Sequence, residues 1–272
     1  MRLVNVKPDR AVLLVLGALP FALMAGAYFI SSALRLSANP NDKLLPALST
    51  MASSFGRMAF VADPRTGDYL LWSDTLASLE RLLAALAIAT VAALLVGIAV
   101  GLLPIVGALL RPFVSVASMV PPLALLPILF IVMGLGEASK IALIVIGSLP
   151  FLIRDLAMRV AELPREQLIK AQTLGASSWQ IALRIVLPQM LPRLIDSVRL
   201  SLGPAWLFLI ASEAIASDSG LGYRIFLVRR YLAMDVIIPY VAWITLLAIV
   251  SDVALALLQR RAFPWFAAAR AS

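Results

Sequence analysis

The sequence predicts an all-α integral membrane protein with six transmembrane helices and both termini on the cytoplasmic side. Of its 272 residues, 62% are hydrophobic and 14% are charged, whereas about 25% of the residues in a typical soluble domain are charged. A soluble protein of this size has too much surface for so little charge, and a disordered chain has far fewer apolar residues. Helices are expected because a lipid bilayer offers no partner for an unpaired backbone group.

Six apolar stretches approach the length of about 20 residues that a spanning helix needs. The first either spans the membrane or belongs to a signal peptide. Its apolar run of about 24 residues favours a span, because the apolar region of a signal peptide has only roughly 7–15 residues. The fourth stretch is short and needs flanking residues to cross the bilayer. In chain order the six stretches are Ala11–Leu34, Leu82–Leu110, Phe113–Met133, Ile141–Ile153, Leu194–Ala216 and Val236–Leu258.

Positively charged residues set the expected orientation, because cytoplasmic segments collect Lys and Arg. The N-terminal segment is basic at Arg2, Lys7 and Arg10, and Arg260 and Arg261 follow the last span. We therefore place both termini in the cytoplasm. The formal charge of +8 is then explained by membrane topology, and no nucleic acid partner is expected.

These spans divide the chain into four parts. Residues 1–34 form an N-terminal tail and the first transmembrane helix, and residues 35–81 form a periplasmic loop. Residues 82–265 form the core domain, and residues 266–272 form a cytoplasmic tail. Within the periplasmic loop, Leu44–Phe60 carries apolar residues at helical spacing, which predicts either a helix on the membrane surface or a simple spacer.

The longest cytoplasmic segment of the core, residues 154–193, predicts a helical hairpin. Pro164 suits the first turn of a helix, Gly175 suits the position just beyond its end, and Ser177 suits the N-cap of a second helix that is expected to stop near Pro188. The hairpin is too small to bury its own apolar residues, so it either packs against the membrane domain and a soluble partner or serves as a rigid linker. Those residues are Leu174, Trp179, Ile181 and Leu183.

Residues inside the spans suggest a translocation path. Pro121, Pro122 and Pro127 lie within seven residues of the third span; each favours a kink or break, and broken membrane helices often line such paths. Glu213 lies about 28 Å along its helix from Leu194 at 1.5 Å per residue. We expect it near the outer edge of the membrane, at the mouth of the cavity, where a gate or structural role is favoured over substrate recognition.

The remaining intramembrane charges and a glycine pair favour structural roles. Asp196 and Arg199 are three residues apart on one helix and can pair, and Asp252 can pair with Arg199 or with the arginines near residue 260. Gly97 and Gly101 permit close helix approach, either within one subunit or between two.

The cytoplasmic loop resembles the EAA motif of permease subunits in bacterial ATP-binding-cassette importers. The motif's first two positions hold Ile169 and Lys170, so its acidic residue is missing. The positions that fall in register are Ala171, Gly175, Ile185, Leu187 and Pro188. The resemblance extends over about residues 75–265 and is greatest to the branch that imports nitrate, sulfonates and taurine. Its other stretches are Thr75–Leu79, Pro121–Pro127, Gly134–Glu137, Ser201–Gly203, Glu213–Ala214 and Gly220–Tyr223.

The resemblance implies the fold of a type I importer permease in the bacterial inner membrane, with a mechanism shared among several chains. A second copy of the permease completes the path, a periplasmic solute-binding protein delivers the solute, and a cytoplasmic ATPase binds ATP and Mg. The loop residues implied to contact that ATPase are Ala171, Thr173, Leu174, Gly175, Ser177, Trp179, Ile185, Leu187 and Pro188.

This chain itself is expected to have no catalytic residue, metal or cofactor. It contains no phosphate-binding loop of the Gly-x-x-x-x-Gly-Lys-Ser/Thr type, so it is not the ATPase, and it contains no His or Cys, which leaves little for a membrane enzyme. A self-sufficient secondary transporter or channel is the main alternative. The solute is a small anion or a small nitrogen compound, and the sequence does not rank the two.

Overall fold

The computed structural model describes residues 9–40 and 42–271, and all regular secondary structure within them is helical. Arg2 and Lys7 of the basic N-terminal segment, and Ser272 of the tail, lie outside the described residues. The α-helices are α1 (Arg10–Ala38), α2 (Leu48–Phe60), α3 (Leu70–Leu102), α4 (Pro104–Ala117), α5 (Leu126–Met133), α6 (Glu137–Ala161), α7 (Arg165–Thr173), α8 (Ser178–Ile181), α9 (Leu187–Ile215), α10 (Leu221–Arg229), α11 (Met234–Ala262) and α12 (Pro264–Ala271).

Five stretches of the described helices are long and apolar enough to cross a membrane. They are α1, α3, α6, the continuous helix Ser178–Ile215 and α11. A sixth span results when α4 and the segment Pro122–Met133, which are bent by 82° relative to each other, cross together as one broken span. The predicted count of six is therefore reached only with this broken element.

The second span differs from the predicted Leu82–Leu110. Helix α3 begins earlier, at Leu70, and ends before Pro104, which lacks a backbone N–H and instead opens α4. Hydropathy missed the first three turns of α3 because they carry polar residues. Four of those residues, Asp74, Thr75, Ser78 and Arg81, are buried against protein. Residues 111–112, which separate the predicted second and third spans, lie inside α4.

The third span is broken where its prolines stand. Pro121 is extended, Pro122 opens a 3₁₀ turn that ends at Leu125, and Pro127 lies in the first turn of α5. Each proline thus occupies a position where the missing N–H costs little. The predicted single segment Phe113–Met133 is corrected to two helices and a bend.

The fourth and fifth spans are longer than the apolar runs that predicted them. Helix α6 extends the short fourth stretch at both ends, as expected. The fifth starts in the cytoplasmic segment, because α8 passes through a π-helical turn, Ala182–Val186, into α9. The prediction that a helix stops near Pro188 is wrong: the wider turn just before the proline relieves its clash with the preceding turn.

The core is organised around the pairing of α3 with α6. A Cβ added at Gly101 would lie 2.6 Å from Val160 Cβ, and one added at Gly97 would lie 3.0 Å from Leu156 Cβ. Neither glycine therefore leaves space for a side chain. Of the two roles considered for this pair, the structure shows packing within one subunit.

The two N-terminal helices lie at the margin of the bundle. Helix α1 contacts the rest of the chain near its C-terminal end, where the hydroxyl of Tyr28 donates to Pro46 O at 2.7 Å and that of Ser32 donates to Leu45 O at 2.9 Å. Helix α2 packs against α11 and α3. Its apolar surface is thus partly used within the chain.

Candidate functional site

The first candidate site is the cytoplasmic hairpin, residues 164–188, whose turn is fixed by backbone hydrogen bonds. Helix α7 ends in a Schellman motif: the N–H of Ala176 donates to Ala171 O at 3.0 Å, and that of Gly175 donates to Gln172 O at 2.9 Å. Gly175 has a φ of 80°, a left-handed conformation in which glycine alone is free of strain. The sequence placed this turn correctly.

The second arm of the hairpin starts with a capping box. The N–H of Gln180 donates to the Ser177 hydroxyl at 3.3 Å, and the Gln180 side-chain oxygen accepts from the Ser177 N–H at 2.8 Å. The predicted cap at Ser177 is therefore confirmed. Since α8 continues through the π-helical turn into α9, one continuous helix joins the hairpin to the membrane domain.

The predicted loop residues divide into buried anchors and an exposed tip. Leu174 is 88% exposed and Trp179 is 71% exposed. Ala171 is buried in the inner core beside Ile181 and Val186. The hairpin is thus held rigidly from within while it presents large apolar side chains to solvent. Of the other predicted residues, Thr173, Ser177 and Pro188 are exposed, and Ile185 and Leu187 are half-buried.

The second candidate site is the outer charge cluster, at the predicted periplasmic end of the bundle. It comprises Asp74, Ser78 and Arg81 of α3, Glu137 and Lys140 of α6, Glu213 of α9 and Arg224 of α10. Seven charged or polar side chains from four helices therefore meet in one cluster. Of these residues, only Glu213 was predicted to support a gate; Ser78 and Glu137 lie in stretches that carry the family resemblance.

Glu213 is 0% exposed, so it does not line an open mouth as expected. Its carboxylate accepts hydrogen bonds from the Ser78 hydroxyl at 2.8 Å, from Arg81 Nη1 at 2.8 Å and from the Gly222 N–H at 2.8 Å. A Cβ at Gly220, whose φ is 119°, would lie 2.5 Å from this carboxylate. The turn before α10 is thus closed tightly over the buried acid.

Arg81 connects Glu213 to α6 and to the turn before α10. Its guanidinium also pairs with Glu137, and its Nη1 donates to Ser219 O at 2.8 Å. Lys140 Nζ lies 2.9 Å from the same Glu137 carboxylate and 3.1 Å from the Ser217 hydroxyl. The cluster therefore joins α3, α6 and α9 at one end of the bundle.

Asp74 joins α3 to α10 and α11. Arg224 Nε lies 2.7 Å from its carboxylate, the Tyr240 hydroxyl donates to it at 3.3 Å, and the Gly220 N–H donates at 3.1 Å. Burial lowers the pKa of Arg224, but the hydrogen bond and charge of Asp74 outweigh it, so the pKa lies above its ordinary value. Arg224 is therefore a permanent cation.

The sequence does contain a signal for this cluster, but the residues that carry it were predicted to belong to the periplasmic loop 35–81. Asp74, Ser78 and Arg81 are spaced i, i+4, i+7, which puts them on one face of a helix. If this spacing is interpreted as a polar helix face that is buried against protein, it predicts an earlier start for α3 and provides partners for Glu213.

The inner intramembrane charges form a separate pair. Arg199 Nε and Nη2 lie 2.7 and 2.9 Å from the two oxygens of Asp252, whereas Arg199 Nη1 is 3.9 Å from Asp196. Asp196 instead accepts from Gln259 Nε2 at 2.9 Å. Of the partners considered for Asp252, Arg199 is therefore the one found, and the pair joins α9 to α11.

Neither site has the chemistry of an enzyme centre. In the outer charge cluster each carboxylate is matched by a cation, so its groups hold helices together. Among the described residues no group of three or more Asp or Glu side chains is arranged to hold a metal ion.

The three predicted path prolines lie at the bend between α4 and α5. Pro121 and Pro127 are exposed there, and Pro122 is half-buried.

Comparison with known proteins gives a consistent result. Residues 81–264 match the family described as binding-protein-dependent transport system inner membrane component. The chain is 36% identical over 226 residues to the taurine transport system permease protein of Escherichia coli (strain K12), covering 83% of this chain and 79% of the relative.

Two further similarities extend the comparison. The chain is 30% identical over 192 residues to a bicarbonate transport system permease protein of Synechococcus elongatus, covering 70% of this chain and 69% of the relative. An inward-facing structure of the MetNI methionine ABC transporter aligns with a TM-score of 0.56 at 19% identity, covering 66% of this chain and 92% of that chain. This last similarity concerns the fold.

Proposed function

Because the chain belongs to the family of binding-protein-dependent transport system inner membrane components, we propose that its cytoplasmic hairpin couples an ATPase to a path for a small oxyanion. The protein is a multi-pass inner membrane permease subunit of an ATP-binding-cassette importer. Its family implies an ATPase that binds the nucleotide in a separate subunit and a solute-binding protein that delivers the solute. The chain is not itself an enzyme and has no cofactor of its own.

The proposed coupling role rests on one observation: the hairpin is rigid, yet exposes Leu174 and Trp179. Large apolar side chains on a fixed scaffold are typical of the centre of a protein interface. The Schellman turn and the capping box fix the tip, and the continuous path from α8 to α9 carries its movement into the membrane. The acidic residue missing from the motif is not needed for this geometry.

We assign the path to the proline-containing bend between α4 and α5, and the gate to the outer charge cluster. The bend that contains Pro121, Pro122 and Pro127 lines the path, because irregular backbone at membrane depth is tolerated where it faces a cavity. The Arg81–Glu213 pair of the outer charge cluster supports the periplasmic gate by holding α3, α6 and α9 together. A second copy of the chain supplies the other half of the path.

The proposed solute class is a small oxyanion. Two relatives are named for the transport of taurine and of bicarbonate. Taurine carries a sulfonate group and bicarbonate is a carbonate, and both groups present charged oxygens. No feature of the described residues favours a small nitrogen compound in the same way.

Co-purification tests the proposed assembly. An affinity tag on the permease should recover the ATPase in equal amount, and a second permease copy with a different tag should appear in the same complex. A secondary transporter or channel would instead be recovered alone, and recovery of the permease without any ATPase would contradict the proposal.

Replacement of Gly175 by valine should uncouple ATP hydrolysis from transport. A β-branched residue with φ near 80° is strained by about 1–2 kcal/mol, so the turn should relax and the tip should move. We expect uptake by the reconstituted complex to fall severalfold while its ATPase activity persists.

Two variants control for effects other than backbone strain. An added Cβ meets nothing within 4 Å at Gly175 or at Gly203. Gly175→Asn, which tolerates the left-handed conformation, should therefore retain most of the uptake, and Gly203→Ala in helix α9 should retain all of it. Normal coupling in Gly175→Val would refute the proposed role of the turn.

A further inference from the structure

A groove between α4 and α6 contains two arginines without an acidic partner. Its cavity of about 290 Å³ lies against Val100 of α3 and is lined on its apolar side by Ile153 and Ala157 of α6. Arg111 of α4 and Arg154 of α6 also line it, and both are exposed. The groove therefore combines apolar walls with two solvent-accessible cations.

The polar side chains of the groove continue along α4. Arg111, Ser115 and Ser118 are spaced i, i+4, i+7 and share one helix face. Ser118 and Arg154 also line an adjoining cavity of about 330 Å³. Arg154 thus lines both cavities, and Ser115 lines the first and Ser118 the second.

The positive charge in the groove is not balanced by the protein. Arg111 donates one hydrogen bond, from Nη2 to the backbone oxygen of Val100 at 3.2 Å. Arg154 makes no hydrogen bond or ion pair with another residue in the described part of the chain. The neighbouring carboxylate of Asp155 is already engaged by Arg159, at 2.6 Å, and by the hydroxyl of Ser197.

The groove lies on the inner half of the membrane domain. Arg154 is about 26 Å along α6 from Glu137 at 1.5 Å per residue, near the helix end that leads into the cytoplasmic hairpin. Charged groups at this depth are costly and face a water-filled cavity or a counter-charge. Two unpaired guanidinium groups therefore indicate a place where an anion passes.

We propose that Arg111 and Arg154 form an oxyanion site on the inner half of the translocation path, where the sulfonate or carbonate group of the solute pauses before release. This inference rests on the proposed function and names the residues that act on the solute. The planar, multiply donating guanidinium group matches such oxygens. A pair of exposed cations lining one groove also raises the local concentration of anions.

Uptake by the complete complex tests this site. Proteoliposomes of neutral lipid, containing the permease and its ATPase and supplied with the binding protein, are assayed with radiolabelled taurine and bicarbonate. Arg154→Gln should lower uptake about tenfold, within the range by which cationic clefts raise anion association, and the defect should shrink at high salt because salt screens the charge. Arg154→Lys should retain an intermediate rate.

The control is Arg10→Gln, which removes the same charge from the exposed start of α1 and should leave uptake unchanged. Equal uptake by wild type and Arg154→Gln would overturn the inference while leaving the proposed function intact. No uptake of either probe by wild type would overturn the proposed solute class and this site together. If the Arg154→Gln defect is absent in neutral lipid and emerges only with anionic lipid, the site binds a lipid headgroup and the inference is wrong.

Discussion

Replacement of Arg81 by leucine should be the most damaging single substitution in the membrane core. The change removes the guanidinium that faces the Glu213 carboxylate at 2.8 Å and leaves that acid fully buried with only a hydroxyl and a backbone N–H. Breaking a buried ion pair by removing one partner costs about 3–5 kcal/mol. We expect a large loss of the free energy of unfolding, measured by thermal unfolding in detergent, and a low yield of monodisperse protein.

A double-mutant cycle separates this effect from a simple loss of packing. Glu213→Gln added to Arg81→Leu removes the stranded charge and should restore part of the stability. Arg65→Leu, in an exposed turn between α2 and α3, is the matched surface control and should change stability by less than about 0.5 kcal/mol. If the double variant is as unstable as the sum of the single variants, the two residues are not coupled and the account of the outer charge cluster is wrong.

Replacement of Leu174 by aspartate should abolish coupling while leaving the permease folded. Leu174 is almost fully exposed at the tip of the hairpin, so the polar residue costs little in the isolated subunit. In the complex it would place a charge in an apolar contact, where losses of 2 kcal/mol or more are typical and correspond to about a 30-fold weaker affinity. We expect loss of the ATPase on co-purification and loss of ATP-driven uptake.

The control for this variant is an equivalent substitution at the opposite side of the membrane. Val61→Asp also replaces an exposed apolar residue, just after α2, and should retain the ATPase. Recovery of a full complement of ATPase with Leu174→Asp would mean that the hairpin tip is not the docking surface.

Local backbone rules were sufficient to predict the cytoplasmic hairpin from the sequence. Pro164, Gly175 and Ser177 each have a conformational reason for their place, and those reasons depend on near neighbours in the chain. The positive φ of Gly175 and the cap at Ser177 follow from such rules alone. The length of the apolar runs similarly located the long helices, because a lipid bilayer requires a similar apolar length of each spanning helix.

The features that sequence reasoning missed depend on residues far apart in the chain. The start of α3 was taken for a loop because polar residues such as Asp74 and Arg81 look incompatible with a membrane helix until their partners 130 or more residues later are in place. The continuation past Pro188 depends on a π-helical turn, which has no reliable local signature. Glu213 was located at the correct end of its helix, but its burial depends on a turn formed by Gly220 and Gly222.

The outer charge cluster and the hairpin lie at opposite ends of the same helices. Helix α9 carries Glu213 near one end and continues from α8 at the other, and α6 carries Glu137 at its start and leads into α7. A movement of the hairpin therefore acts on rigid elements whose far ends are fixed by buried ion pairs. This arrangement is suited to opening one end of a path as the other closes.

ATP-dependent uptake in a defined system tests the central claim most directly. Proteoliposomes holding the permease and its ATPase are loaded with ATP or with no nucleotide, and radiolabelled taurine is supplied outside with or without the solute-binding protein. The account predicts accumulation only when ATP, the ATPase and the binding protein are all present. Accumulation by the permease alone, without ATPase or nucleotide, would contradict it and would identify a self-sufficient transporter.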